Sequence, residues 1–343
     1  MFNQKCLSAL LKQSFVDFEI IFVDNASTDW SLEEVEKVFS HEIESWKIKI
    51  VRNTENLWFA EGSNVWFLNV SDEVEYLWLL NNDTIADENA LKMLLSAMQL
   101  DVSIWATWSY VIDNWLEHAY NELYFNKWLK TKINYILETS FEPDPTMNNW
   151  FYASWIWWCS ILIKRFLIDK EIFPPFYFAY CEDGYFSFNT LFKWYKLFIT
   201  FDSIIHHYWS WTSWKDVTVF KAFHWTKNQI ANFFIFHSRI NIFKILPVFI
   251  IYQILKLFSW WFLIRLKWLY KAIIWTISNR KLIADKRKEV LATKKISDKE
   301  FISMLSPKIL ENIYFFEIGR FRRAMIELFN KFFLFYFKLI RIR

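Results

Sequence analysis

The chain is almost without glycine: it carries 3 Gly against 22 Trp in 343 residues. An ordinary globular sequence holds roughly 7% Gly, and Gly and Trp together make up about that share here. Glycine is the residue that enters left-handed backbone and lets a chain pass close to a ligand, and tryptophan is the poorest replacement for it. Many Trp stand at turn positions: Trp30 between Asp29 and Ser31, Trp58 after Asn56 and Leu57, and the run Trp209-Ser210-Trp211-Thr212-Ser213-Trp214. That run reads naturally as Gly-Ser-Gly-Thr-Ser-Gly. The distribution therefore points to a conceptual translation in which a codon the host reads as glycine, UGA, was rendered as tryptophan. The alternative is a truly Trp-rich protein with aromatic platforms, but platforms would have no reason to collect at turns.

The chain is 54% hydrophobic and 22% charged, with a formal net charge of +3, which excludes a disordered or collagenous polymer. Cys6, Cys159 and Cys181 lie far apart, so neither a disulfide framework nor a zinc ribbon is indicated. Charge divides the molecule. Residues 241–343 hold 21 Lys and Arg against 7 Asp and Glu, a net of +14, leaving −11 for residues 1–240. An acidic first part suits catalytic and metal-binding carboxylates, and a basic, aromatic second part suits anionic headgroups or nucleic acid.

In the first part strands alternate with helices. Phe18 to Val23 is an apolar run ending at Asp24 and Asn25; Ser31 to Glu34 reads as a capping box before Leu32, Val35 and Phe39 at helical spacing. Trp46 to Val51 and Tyr76 to Leu80 are further strands. Asp87 is the expected N-cap of a helix carrying Leu91, Leu94, Leu95 and Met98. The order predicts a largely parallel sheet with polar strand ends along one edge, where ligands bind. In the second part the uncharged stretch Ile245 to Leu255 is too short for a span. It and the Phe-rich Phe329 to Arg343 predict helices lying in a membrane interface. A bundle that buries its own aromatics is the alternative. Met1 to Phe15 has no apolar leader, so the expected location is the cytoplasmic face of the cell membrane.

Asp24 and Asn25 close a strand, where a carboxylate can accept hydrogen bonds from a base or ribose or can simply close an Asx turn. Asn81, Asn82 and Asp83 end another strand; one Asp with an amide neighbour suffices for a divalent cation whose other ligands are phosphate and water. These segments, with Asn53 to Asn64, Phe178 to Asp183, and His206-His207 before the Trp-rich run, resemble in order the motifs of glycosyltransferase family 2. The likeness covers roughly residues 5–240 and tightens when Trp30, Trp58 and Trp66 are read as Gly. The basic extension is similar to those of bacterial surface-polysaccharide enzymes of rhamnosyltransferase-like type.

The resemblance implies an α/β GT-A fold, a doubly wound mixed sheet in residues 1–240, followed by a mostly helical membrane-associated region in residues 241–343. It implies an inverting transferase that moves a sugar from a nucleotide-diphosphate donor to a lipid-linked or polysaccharide acceptor, with Mg²⁺ or Mn²⁺. Asp24 and Asn25 would face the base; Phe59, Ala60 and Asn64 would line the donor pocket; Asn81 stands first in what is often an Asp-x-Asp. Asp83 and His207, the latter ranked above His206, would hold the metal, and Asp183, beside Glu182, would be the general base. One acceptor-side carboxylate is what a single inverting displacement needs. Two adjacent acids disfavour each other's ionisation, and a glycine-rich late loop can fold its amides over the leaving diphosphate. The first strand usual in the family is expected to be absent, since Met1 falls just ahead of the first helix, and Tyr185 stands where another acid is common. The expected partners are the donor, a glycan or lipid-linked acceptor and an anionic membrane surface, with no nucleic acid; the competing expectation is an inactive, membrane-associated scaffold. Donor sugar is left open between rhamnosyl or galactofuranosyl and pyranosyl types. Acceptor choice is assigned to Leu116–Asn149, which carries no readable signature.

Overall fold

The computed structural model describes residues 2–113, 129–133, 135–137, 139–143, 150–156, 158–208, 219–257, 262–308 and 320–342. In chain order the elements are α1 (Phe2–Leu10), β1 (Ile20–Asp24), α2 (Ser31–Val38), α3 (Ser40–Glu44), β2 (Ile48–Arg52), α4 (Trp58–Leu68), β3 (Tyr76–Leu80), β4 (Thr84–Ala86), α5 (Ala90–Met98) and β5 (Ile104–Asp113). Then follow β6 (Leu129–Ile133), β7 (Thr139–Pro143), β8 (Trp150–Ala153), β9 (Ser160–Lys164), α6 (Glu182–Phe192) and β10 (Lys196–His207). The chain continues as helices: α7 (Val219–Phe236), α8 (Arg239–Leu257), α9 (Phe262–Ser278), α10 (Arg280–Ala292), α11 (Asp298–Met304) and α12 (Arg320–Leu339).

The α/β character and the helical second part match the expectation, but the sheet is not largely parallel. Its main path runs β3-β9-β5-β10-β4, with β8 also on β10, and only β5 and β10 pair in parallel. The physical reason is β9. Its residues Ser160 to Ile163 are all buried, and the strand inserts between β3 and β5 antiparallel to both. A short apolar run of this kind carries no direction in its sequence, so neighbours that share an orientation look adjacent when they are not.

β1 and β2 pair in parallel, Ile20 with Ile48 through Asp24 with Arg52, as a separate two-stranded unit. Among the described residues the other edge of β1 and the outer edge of β3 pair with no strand. The first turn of α1 sits at the carboxyl end of β3, where Asn82 Nδ2 donates to Asn3 Oδ1 at 2.7 Å.

Two helix starts differ from expectation. Ser31 is the first residue of α2 and Trp30 is its N-cap, with no side-chain cap; Asp29 Oδ1 instead accepts from the Ser31 amide at 3.1 Å. Asn89, not Asp87, precedes α5, and Asp87 gives its carbonyl to the Ala90 amide. A true capping box does form at α11, where Ser297 Oγ accepts from the Glu300 amide and Glu300 Oε2 accepts from the Ser297 amide.

The apolar core is continuous across the boundary expected at residue 240. Phe192 of α6 meets Phe236 of α7 at 5.2 Å and Phe301 of α11 at 4.6 Å, both edge-on. Arg287 of α10 donates to the carbonyls of Phe234, Ile235 and His237, satisfying the acceptors that a helix leaves open at its C-terminus. The basic helices therefore pack on the same core as the sheet.

Candidate active site at the strand ends

Three strand ends carry the sequence-predicted polar residues. Asp24 closes β1, is buried, and accepts from the Ser27 amide at 3.2 Å, the Asx turn foreseen as one of its two roles. Asn25 is held on both sides: Oδ1 accepts from Asn53 Nδ2 at 2.7 Å, and Nδ2 donates to the Trp58 carbonyl at 3.1 Å. A Cβ at Gly62 would come within 2.8 Å of Asn25 Nδ2, so any larger residue at 62 would require the Asn25 side chain to shift from the position these two bonds hold.

At the end of β3, Asn81 binds through its backbone: its amide donates to the Cys159 carbonyl at 2.9 Å and its carbonyl accepts from Thr84 Oγ1 at 2.5 Å. This turn feeds β4, which pairs antiparallel with the end of β10, Thr84 opposite His207 and Ile85 opposite His206. Alternation along a strand sends the two histidines to opposite faces. His206 meets Asp87 at 3.4 Å, and His207, largely buried, meets Asp83 Oδ1 through Nε2 at 3.2 Å. The preference for His207 over His206 thus has a geometric counterpart, a carboxylate and an imidazole facing each other. That donor set, one hard oxygen and one borderline nitrogen, fits Mn²⁺ or Mg²⁺ whose remaining ligands are phosphate and water. No group of three or more His, Cys, Asp or Glu able to hold a metal occurs among the described residues.

Phe59, Ala60 and Asn64, expected in the donor pocket, contact the segment that leads into α6. Ala60 is fully buried and its amide donates to the Phe178 carbonyl at 3.0 Å. Asn64 Nδ2 donates to the Phe173 carbonyl at 2.7 Å and Oδ1 accepts from the amides of Ile172 and Phe173. Phe59 packs on Phe173 and Trp158. These three tie α4 to the segment leading into α6, and the polar atoms of Asn64 are spent on backbone.

That segment ends in Glu182 and Asp183, the first turn of α6. Phe178, Tyr180 and Cys181 precede them at φ of 64°, 68° and 60°. Left-handed backbone at three non-glycine residues costs of order 1 kcal/mol each and persists only where surroundings impose it. Here α7 imposes it. Asn228 Nδ2 donates to the carbonyls of Tyr177, Ala179 and Tyr180 at 2.8, 2.9 and 2.6 Å. One turn on, Asn232 Nδ2 donates to the Cys181 carbonyl and Oδ1 accepts from the Tyr177 hydroxyl. Buried Lys227 donates to the Phe176 carbonyl at 2.6 Å. The sequence reading missed this brace; its one signal is that Asn228 and Asn232 stand one helical turn apart in α7, with Lys227 beside them.

Glu182 is buried and its Oε2 has no hydrogen-bond partner. Asp183 keeps partial access to solvent, and its Oδ1 accepts from the Gly184 amide at 2.7 Å. Burial is the main force raising both carboxyls well above the usual carboxylate range. The neighbouring Asp183 charge adds to the effect on Glu182, and the Gly184 bond opposes it for Asp183. A pair of acids displaced toward neutrality at the head of a strained, braced loop is what proton transfer near neutral pH requires.

Comparison with known proteins bears on the fold that carries these residues. Residues 4–157 match the model of Glycosyl transferase family 2. The matched segment runs from α1 to just before β9 and includes Asp24, Asn25, Asn81 and Asp83. Among solved structures, the chain is similar to GalNAc-T7 with UDP, GalNAc and Mn²⁺, at a TM-score of 0.54 and 12% identity over 68% of this chain. It spans 45% of that protein's length. It is also similar to the mannosyltransferase PcManGT from Pyrobaculum calidifontis in complex with GDP-Man and Mn²⁺, at a TM-score of 0.49 and 13% identity over 85% of this chain and 81% of that one. No curated protein matches the chain. The likeness to GalNAc-T7 shows the fold: a GT-A-like α/β unit with a mixed sheet. The late Trp-rich run 209–214 and most of Leu116–Asn149 lie outside the described residues.

Proposed function

We propose that the chain is an inverting glycosyltransferase that moves a sugar from a nucleotide-diphosphate donor to a lipid-linked or polysaccharide acceptor. The observation that carries this reading is the acid pair Glu182 and Asp183. It is pushed toward neutrality and presented by a loop fastened to α4, whose N-terminus in turn holds Asn25 at the end of β1. In the reaction an acceptor hydroxyl oxygen bonds to the anomeric carbon as the bond from that carbon to the diphosphate breaks. Asp183, the more accessible acid, takes the hydroxyl proton. Burial keeps Asp183 from ionising too readily, and Glu182, raised by burial and by the Asp183 charge, stays protonated beside it. Asp24 and Asn25 orient the nucleotide. Asp83 and His207 would hold the divalent cation, which when bound supplies positive charge for the leaving diphosphate.

The test is release of nucleoside diphosphate from a panel of nucleotide sugars by the full chain, against Asp183→Asn. General-base removal is expected to slow release by about 10²- to 10⁴-fold. Release from no donor, with vesicle binding intact, would favour the scaffold reading.

The same proposal includes glycine at positions written as tryptophan. Trp46, Trp58 and Trp194 have φ of 61°, 58° and 67°. Trp194 follows the C-cap of α6 and closes it with two bonds, its own amide to the Leu191 carbonyl and that of Tyr195 to Thr190. That is the pattern in which glycine ordinarily takes this position. Trp46 stands likewise after α3, its amide bonded to the Ile43 carbonyl, and is 77% exposed. In the core, Trp105, Trp158 and Trp268 have buried indole N–H groups without partners, whereas a buried Trp usually finds one. Trp30 does not share the pattern, since its φ is −78°.

A further inference from the structure

From Val217 to Ala284 the chain has ten Lys and Arg and no Asp or Glu. Within this stretch α8 leaves Ile240, Phe243, Pro247, Ile250 and Ile254 exposed. Steps of three and four residues put all five on one helix face. Phe243 is 77% exposed, more than any other residue on that face for which burial would be expected. The same pattern recurs on α12, where Leu328, Phe332, Phe335 and Leu339 are exposed with Lys331 and Lys338 among them, while Phe333 and Phe337 turn into the core. The two helices are tied together: the Tyr336 hydroxyl donates to the Lys244 carbonyl at 2.9 Å, and Lys244 Nζ donates to the Arg341 carbonyl at 3.1 Å.

No described helix is long and apolar enough to cross a membrane. A helix with an apolar face, basic flanks and too little length to span lies instead in the plane of the headgroups. We propose that the exposed faces of α8 and α12 seat the protein on an anionic lipid bilayer, with Phe243, Ile250, Phe332 and Phe335 inserted at the headgroup boundary and Lys331 and Lys338 against lipid phosphates. A second copy of the chain fits poorly, because pairing these faces would bring two segments of net charge +14 together. The inference goes beyond sugar transfer and stands or falls without it.

The experiment is flotation of the full chain with vesicles of phosphatidylcholine alone or with phosphatidylglycerol added. The chain is expected to float with the anionic vesicles, to float less as NaCl is raised to about 0.5 M, and to stay down with phosphatidylcholine alone. Phe243→Ser with Ile250→Ser, and separately Phe332→Ser with Phe335→Ser, are each expected to reduce the bound fraction by about tenfold or more, since insertion of these side chains supplies the apolar gain. All four are surface residues, and far-UV circular dichroism reports whether each variant keeps its helices. Wild-type chain that stays down with anionic vesicles overturns the proposal, as do folded variants that float like wild type. Sedimentation showing a dimer that both double variants dissolve, with no vesicle binding, assigns the faces to a second copy and overturns it as well.

Discussion

At the residue scale the backbone tests the side chains. Trp46 and Trp194 occupy left-handed positions that follow helix ends, at a cost of roughly 1–2 kcal/mol for an L-residue. Glycine gives back about 0.5–1 kcal/mol through unfolded-state entropy. Trp46→Gly and Trp194→Gly are therefore each expected to stabilise the recombinant chain by about 0.5–1 kcal/mol in urea unfolding. In protein from its own host, peptide mass spectrometry over Val38 to Lys47 is expected to show glycine at 46. Tryptophan there would remove the recoding. The acid pair makes a second residue-scale prediction. A base must be ionised to act, and burial raises Asp183, so transfer is expected to rise with pH up to the neutral range rather than levelling off near pH 5. In a pH–rate profile of kcat/KM, Glu182→Gln is expected to leave that limb in place, because burial rather than the Glu182 charge raises Asp183.

At the element scale the decisive contact is between α7 and the loop before α6. The two N–H groups of the Asn228 amide are shared among three carbonyls, and stranding buried acceptors costs about 1–3 kcal/mol. Asn228→Leu is expected to lower stability by that order and to reduce transfer through kcat more than KM, measured by urea unfolding and steady-state kinetics. Equal loss in both parameters would mean a general rather than a positioning role. The strands β1, β2 and β3 were legible from short apolar runs bounded by polar turns, to within two residues. The direction of β9 was not, because a fully buried strand has no alternation to read. The caps at α2 and α5 were misplaced for a related reason: Ser31 and Asp87 have the right chemistry, and where a helix begins is settled by the turn that enters it.

At the scale of the whole molecule, buried titrating groups set opposite slopes on stability. Glu182 and Asp183 are raised on folding, so the native state binds their protons more tightly. Their contribution is complete below about pH 4 and lost as pH rises toward neutrality. His237, fully buried with Nε2 bonded to the Tyr135 carbonyl, is pushed down to about 4, so its contribution is present above about pH 6.5 and lost as pH falls. With two acids against this one histidine, the summed contribution of the three groups falls as pH rises from about 4.5 to 6.5, and in thermal unfolding across pH 4 to 8 Glu182→Gln is expected to make that fall shallower. The sequence alone determined the class of fold, the charge division at residue 240, and the strand-end residues Asp24, Asn81 and Asp83, because periodicity, composition and turn chemistry are local. It also marked Glu182, Asp183 and His207 as chemistry-bearing through their likeness to a family. Only the tertiary structure decided that His207 rather than His206 faces Asp83, that Asn64 serves the backbone, and that Asn228 and Asn232 hold the acid loop. It likewise decided that the basic helices share the sheet's core while leaving one face of α8 and of α12 in solvent. Those outcomes depend on which surfaces meet across more than a hundred residues of chain, and pairing at that distance leaves no periodic mark in the sequence.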